Sequence, residues 1–160
     1  MRIMMIAFAL LATLTISACS SGADLSIESL KENYPESFGT PVEDNLSSEE
    51  QETLGLPSEL PFESESIEAS VIENEAEIHY QSRNADELTV TTIYNPGNVL
   101  QETETRMTLN SGSIAGVDEG EAAVFVEWFD DEDGVIYQMA YSPMEEENRL
   151  EKAIDIANSI

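Results

Sequence analysis

The sequence predicts an α+β domain in which an antiparallel β-meander of about six to seven strands carries a C-terminal α-helix packed on one face. Apolar residues alternate with polar ones in short stretches over residues 67–141, a pattern typical of half-buried strands. The last residues instead repeat their apolar positions at helical spacing. Because the connections between the stretches are too short for crossover helices, neighbouring strands should be antiparallel.

The alternating stretches follow one another along the chain, and turn residues separate them. Their apolar positions are Ile67, Ala69 and Val71; Ile78 and Tyr80; Leu88, Val90, Thr92 and Tyr94; and Met107 and Leu109. The turn signals are Glu73-Asn74, Arg83-Asn84, Asn95-Pro96-Gly97-Asn98 and Asn110-Ser111-Gly112. The stretch from Ala122 to Phe129 is apolar on both faces, which predicts a central strand. Val135 to Tyr141 should return from the tight acidic turn between them.

The C-terminal residues predict a helix that covers one face of this sheet. Ser142 and Pro143 have the residue types of an N-cap and a first helical position. The apolar stripe of the helix consists of Leu150, Ala153, Ile154, Ala157 and Ile160. We expect this stripe to pack on the sheet face that carries either Trp128 or Phe125.

The N-terminus predicts secretion and membrane attachment. Residues 1–18 have an early cation, an apolar run from Ile3 to Ile16 and two small residues, and the run is shorter than the ~20 residues of a membrane-spanning helix. Ile16-Ser17-Ala18-Cys19 resembles the lipobox of bacterial lipoproteins, and Cys19 is the sole cysteine. The resemblance implies that Cys19 is lipidated and anchors the chain to the extracytoplasmic face of the membrane. The alternative is an ordinary signal peptide with a leftover cysteine.

The next segment, residues 19–55, predicts an acidic flexible tether ahead of a folded domain at residues 56–160. The segment is rich in Ser, Glu, Asp and Pro, so it has little apolar surface to offset the entropy lost on ordering. Two pieces have helical character, from Leu25 to Tyr34 and after Ser47, where Ser47-Ser48-Glu49-Glu50 fits a capping box.

The composition is strongly acidic, with 33 Asp and Glu against 6 Lys and Arg and a formal net charge of −27. Nucleic acid is excluded as a partner, because its phosphates need cations that this chain lacks. Basic peptides, cationic wall polymers or divalent cations remain compatible with the charge. The alternative is that the acidic surface serves solubility alone.

The residues predict no catalytic site, no metal site and no cofactor. His79 is the only histidine, and it has no second soft ligand for zinc because the sole cysteine belongs to the lipobox. Aligning Gly134 of "DDEDG" with the glycine of an EF-hand places Phe129 and Ala140 where oxygen ligands are required, so a turn is expected there. Trp128, Tyr137 and Tyr141 favour core packing over an aromatic binding surface.

The order of "LPSELPF", the alternating strands, a glycine-containing loop, "VEWFDDEDGVIYQMAYSP" and "ENRLEKAIDIANSI" resembles a known domain. It is the uncharacterised C-terminal domain of Gram-positive bacterial cell-surface lipoproteins, distantly like sporulation lipoproteins and lipoprotein carriers. The resemblance covers residues 56–160 and implies the fold and the extracytoplasmic location. It implies no catalytic residue, because the family has no established activity.

Together these features predict a lipid-anchored, non-enzymatic binding module whose partner is an envelope protein or a wall component. Its contact surface would be the sheet face opposite the helix. The alternative is a carrier or sensor of a lipid or another apolar ligand. An apolar gap between sheet and helix would favour the carrier, whereas a filled core would favour the module.

Replacing the lipobox cysteine tests the predicted anchor. The substitution Cys19→Ser should block lipid attachment, because serine has no thiol for the thioether bond. The variant should accumulate as uncleaved precursor or be released into the medium, which fractionation and mass spectrometry would show. A variant that is processed and retained in the membrane like the parent chain would contradict the lipobox interpretation.

Overall fold

The computed structural model describes residues 23–97, 103 and 105–160. The predicted signal segment and Cys19 lie outside these residues. The helices are α1 (Ile27–Asn33), α2 (Thr40–Asn45), α3 (Ser48–Glu52) and α4 (Arg149–Ala157), and a π-helical turn, Pro35–Gly39, links α1 to α2. The strands are β1 (Ser64–Ile72), β2 (Glu75–Ser82), β3 (Glu87–Ile93), β4 (Thr105–Thr108), β5 (Ile114–Glu119), β6 (Val124–Asp130) and β7 (Val135–Ser142).

The strands form one antiparallel sheet in the order β1-β2-β3-β7-β6-β5-β4. Two meanders, β1–β3 and β4–β7, are joined where β3 pairs with β7. With α4 packed against β6 and β7, this arrangement confirms the predicted α+β fold. The alternation pattern missed β5, in which the buried residues are just Ala115 and Val117.

One face of the sheet forms the core of the domain. Its buried residues include Ile67, Ile78, Tyr80, Leu88, Val90, Val124, Val126, Trp128, Met139 and Tyr141. These residues alternate with less buried ones along each strand, which confirms the predicted period of two. The predicted turns at Glu73-Asn74, Arg83-Asn84 and Asn110-Ser111-Gly112 are also present. Asn95 has a positive φ, but Asn98, the last residue of the fourth predicted turn, lies outside the described residues.

The N-terminal segment corrects the predicted domain boundary. The tether prediction for residues 19–55 is wrong for the part that the structure describes, because the π-helical turn and α2 pack against β1, and Leu30, Phe38 and Val42 are fully buried. Each helix is too short to be stable alone in water, so tertiary packing holds it. The capping box of α3 is confirmed. Within the described part of the chain, burial begins at Leu25 rather than near residue 56.

Specific hydrogen bonds attach this helical layer to the sheet. The Tyr94 hydroxyl donates to the Glu50 carbonyl at 2.8 Å, and the Tyr137 hydroxyl donates to the Thr53 carbonyl at 2.9 Å. The chain passes so close to the sheet at Gly55 that a Cβ there would lie 2.8 Å from Tyr137 Cδ1. These contacts fix the end of the helical layer over the middle of the sheet.

The C-terminal helix begins later than predicted, at Arg149. Ser142 is the last residue of β7, where it pairs with Glu87, so it cannot cap a helix. The Met144 amide donates to the Asp86 carboxylate at 2.9 Å, and Asn148 then turns the chain with a φ of 58°. The helix packs on the Trp128 face, one of the two faces considered, and its buried residues are Ala153, Ile156 and Ala157. From the predicted stripe, Leu150, Ile154 and Ile160 are only partly buried.

Within the described ranges, no helix combines the length and hydropathy needed to cross a membrane.

Truncating a buried residue of the helical layer tests whether this layer belongs to the fold. We expect Phe38→Ala to lower the free energy of unfolding by about 3–5 kcal/mol, because it removes a fully buried ring and leaves a cavity. The exposed residue Glu32 in α1 supplies the control, since Glu32→Ala should change stability by less than about 0.5 kcal/mol. Urea unfolding of the full chain would measure both. Equal denaturation midpoints would mean that the helices do not stabilise the sheet.

Candidate functional site, the open face of the sheet

The side of the sheet that faces away from the helices is called the open face here. Cross-strand pairing places Ile93 beside Ile136 and Ile136 beside Phe129 on this face. Ile72 is on the same face, because it pairs with Glu75, and Glu75 pairs with Ile93. Ile114 is on this face too, because it lies two residues before Gly116, which pairs with Glu127. We call Ile72, Ile93, Ile136, Phe129 and Ile114 the apolar row. It crosses the sheet near one end of the strands.

The apolar row is well exposed. Ile72 is 69% exposed, Ile114 62% and Phe129 41%, whereas Ile136 is buried between its neighbours. Phe125, which lies further along the same face, is 51% exposed. Among the described residues, Met144 is the one large exposed apolar side chain outside this face. From Ile93 to Ile114 the apolar row runs over neighbouring strands without a break, whereas Glu75 separates Ile72 from Ile93 and Glu127 separates Phe125 from Phe129. Contiguous exposed apolar patches often mark interaction sites.

Two polar rows lie beside the apolar row. The nearer one runs through Ser70, Glu77, Thr91, Gln138, Glu127, Gly116 and Arg106, and the next through Glu68, His79, Thr89, Ala140, Phe125 and Asp118. The Gln138 amide donates to the Glu127 carboxylate at 2.6 Å, which orders the centre of the nearer row. These rows place hydroxyl, amide and carboxylate groups within reach of one partner.

A groove of about 960 Å³ follows the polar rows. Its lining includes Glu77, Thr89, Thr91, Thr103, Thr105, Asp118, Phe125 and Gln138. Thr103 lies directly over Gly116, so closely that a β-carbon at Gly116 would collide with it. The glycine therefore permits Thr103 to form a wall of the groove.

The open face is predominantly acidic. Its carboxylates are Glu68, Glu75, Glu77, Glu87, Asp118 and Glu127. The basic side chains that the described strands place on this face are His79 and, on the edge strand β4, Arg106. The face therefore combines an apolar row with an excess of negative charge.

The structure separates the residues singled out from the sequence. His79 lies on the open face, and its Nδ1 is 3.1 Å from the Thr89 hydroxyl oxygen. Trp128, Tyr137 and Tyr141 are buried in the core, which confirms core packing over an aromatic surface. The ring centroids of Trp128 and Tyr137 are 5.3 Å apart.

Among the described residues, the exposed aromatic side chains are Phe125 and Phe129, which belong to the strand that the sequence predicted to be central and apolar on both faces. Their strand is an interior one, between β5 and β7, but only one of its faces is covered by helices. The alternation of Val124, Val126 and Trp128 with the two phenylalanines assigns them to opposite faces, but it does not show that only one face is covered. The phenylalanines therefore belong to the candidate site rather than to the core.

The acidic sequence "DDEDG" forms the predicted turn between β6 and β7. The Asp130 carboxylate accepts hydrogen bonds from the Glu132 and Asp133 amides at 2.9 and 3.1 Å, and Gly134 has a φ of 70°. Within residues 23–97, 103 and 105–160, no group of three or more histidine, cysteine, aspartate or glutamate residues could hold a metal ion. Asp130 thus stabilises the turn through its backbone amides.

The space between the helices and the sheet is filled. A single cluster of buried apolar residues includes side chains from the sheet, from the N-terminal helices and from α4. A cavity of about 110 Å³ borders it, lined by Ser111, Trp128, Asp130, Asp133, Tyr137, Ala157, Asn158 and Ile160. Ligand pockets are usually about 300–1,000 Å³ and mostly apolar, so this cavity is small and polar by comparison.

Comparison with protein-family models, with curated proteins and with solved structures finds no match to this chain.

Burial of tyrosines gives the fold a pH dependence. Desolvation, with a smaller contribution from the Asp86 charge, raises the pKa of Tyr141 to about 12. Desolvation also raises the pKa of Tyr80, whose hydroxyl is buried without a hydrogen-bond partner. Both effects favour the neutral side chain in the folded state.

Stability should therefore fall at alkaline pH. Between the ordinary tyrosine pKa of 10.0 and the folded pKa of about 12 for Tyr141, the unfolded chain loses the proton while the folded chain keeps it, so unfolding becomes more favourable as pH rises. Urea unfolding between pH 9 and about pH 12 would show this loss, and Tyr141→Phe should make the pH dependence less steep. An unchanged slope in the variant would contradict the assignment to Tyr141.

Proposed function

We propose that this protein is a non-enzymatic binding module, attached through lipid on Cys19 to the extracytoplasmic face of the bacterial membrane. The open face of the sheet is its contact surface. The observation that carries this proposal is the position of the exposed apolar side chains. Apart from Met144, the large exposed ones among the described residues all lie on the sheet face opposite the helices.

The apolar row is difficult to explain by folding alone. An antiparallel sheet covered on one face usually has polar residues on the other, which contacts water. Here the core face is completed by the helices without any contribution from Phe125 or Phe129. Exposed isoleucine and phenylalanine side chains therefore support a surface that is covered by a partner.

The filled core gives less support to the carrier or sensor function. A lipid carrier needs an apolar space that can receive acyl chains, whereas the cavity beside the core is about 110 Å³ and includes Asp130 and Asp133 in its lining. Carboxylates next to an apolar ligand would be desolvated at a high cost in free energy. The module is thus the function that the geometry supports better.

The proposed anchor would hold the domain close to the membrane. Leu25 is already buried in the fold. The chain from Cys19 to Leu25 can span at most about 22 Å, at ~3.3–3.6 Å per residue. This distance is shorter than the reach expected of a tether over residues 19–55. A partner would therefore be met near the lipid headgroups.

Site-specific photo-crosslinking in intact cells tests the contact surface. A photoreactive amino acid placed at Phe125 in the full chain should give discrete adducts with an envelope component, because this side chain is 51% exposed on the open face. The same amino acid placed at Glu32, on the opposite side of the sheet, is the control and should give no such adduct. Adducts of equal yield from both positions, or from Glu32 alone, would contradict the proposal.

A further inference from the structure

The apolar row and the nearer polar row have the dimensions of one peptide segment. The two rows lie two residues apart along each strand, so the distance between them is ~6.8 Å. From Ile93 to Ile114 the apolar row crosses β3, β7, β6 and β5, a distance of ~14 Å at ~4.8 Å per strand. A helix ~10 Å wide would cover both rows, and about nine of its residues would span this length.

The carboxylates of the open face determine which class of partner can bind there. Glu75 lies next to Ile93, Glu77 lies two residues from Glu75 on the same strand, and Asp118 borders Phe125. All three side chains are exposed. A partner with lysine or arginine beside its apolar side chains would therefore be attracted, whereas an anionic lipid surface or a nucleic acid would be repelled.

The same charges disfavour a second copy of this chain as the occupant. Two open faces in contact would bring the same carboxylates together, and each chain has a net charge of −27. Like charges placed opposite one another weaken association. Binding of a basic partner is favoured by both the carboxylates and the apolar row, whereas binding of a second copy is favoured by the apolar row alone.

We infer that the open face binds a basic, amphipathic peptide segment of a partner protein. Its apolar side chains lie along the row from Ile93 to Ile114, and its cationic side chains lie over the neighbouring carboxylates. The inference rests on the proposed function and specifies the chemical class of its partner.

Fluorescence anisotropy with designed peptides tests this inference. The full chain would be reconstituted in phosphatidylcholine nanodiscs, with empty nanodiscs as background. The probe is a labelled amphipathic helical peptide of leucine and lysine, compared with one in which serine replaces leucine and one in which glutamate replaces lysine. We expect the leucine–lysine peptide to bind at least about tenfold more tightly than the serine–lysine peptide, a difference that apolar burial can supply. The glutamate peptide should not bind.

Matched variants locate the binding on the open face. Phe129→Ser and Ile114→Ser should each weaken binding of the leucine–lysine peptide about tenfold. Met144→Ser removes another exposed apolar side chain, away from this face, and should leave the affinity unchanged. Glu77→Gln should weaken binding more than Glu36→Gln, which makes the same charge change in the helical layer. Thermal unfolding would verify that each variant is folded.

Three outcomes would overturn the inference. If Glu77→Gln and Glu36→Gln weaken peptide binding equally, the peptide is attracted by the net charge of the protein and not by the open face. Equal affinity for the leucine–lysine and serine–lysine peptides would remove the role of the apolar row. Self-association in sedimentation experiments that Phe129→Ser abolishes would identify a second copy as the occupant. Crosslinks from Phe125 alongside any of these results would leave the proposed function intact and reject only the partner class.

Discussion

Burial of one face of the sheet is the constraint on which the rest of the structure depends. The strands provide a continuous apolar surface through Tyr80, Val90 and Met139, and helices from both ends of the chain cover it. None of these helices is long enough to be stable in isolation. The sheet therefore organises the helices, and the helices determine which of its faces remains open.

The candidate site follows from the strict alternation of side chains in strands. Thr92, Tyr137 and Trp128 point into the core, so their neighbours Ile93, Ile136 and Phe129 must point to the opposite side. The cross-strand register then aligns these three residues into one row. A shift of one residue in the pairing would exchange core and surface residues, so the stability of the core also preserves the contact surface.

The sequence predicted the features that depend on local pattern. Alternation at Ile78 and Tyr80, turn residues such as Gly134 and the capping box at Ser47 need no knowledge of the tertiary structure. The helical character of α1 and α3 was predicted as well, but the packing of the N-terminal segment on the sheet could not be, because each helix has few apolar residues and depends on tertiary contacts. The exposure of Phe125 could not be predicted either, since apolar residues on both faces of a strand do not reveal how many layers cover it.

Charge and apolar surface have different roles in the proposed binding. Electrostatic attraction raises the rate of encounter with any basic segment but discriminates poorly between such segments. A lipid anchor at Cys19 would hold the domain near a membrane surface whose anionic headgroups attract the same segments. Binding to this protein must therefore gain its selectivity from contacts that the headgroups cannot provide. The row formed by Ile93, Ile136 and Phe129 supplies such contacts, because its spacing is fixed by the sheet and not by the mobile arrangement of lipids.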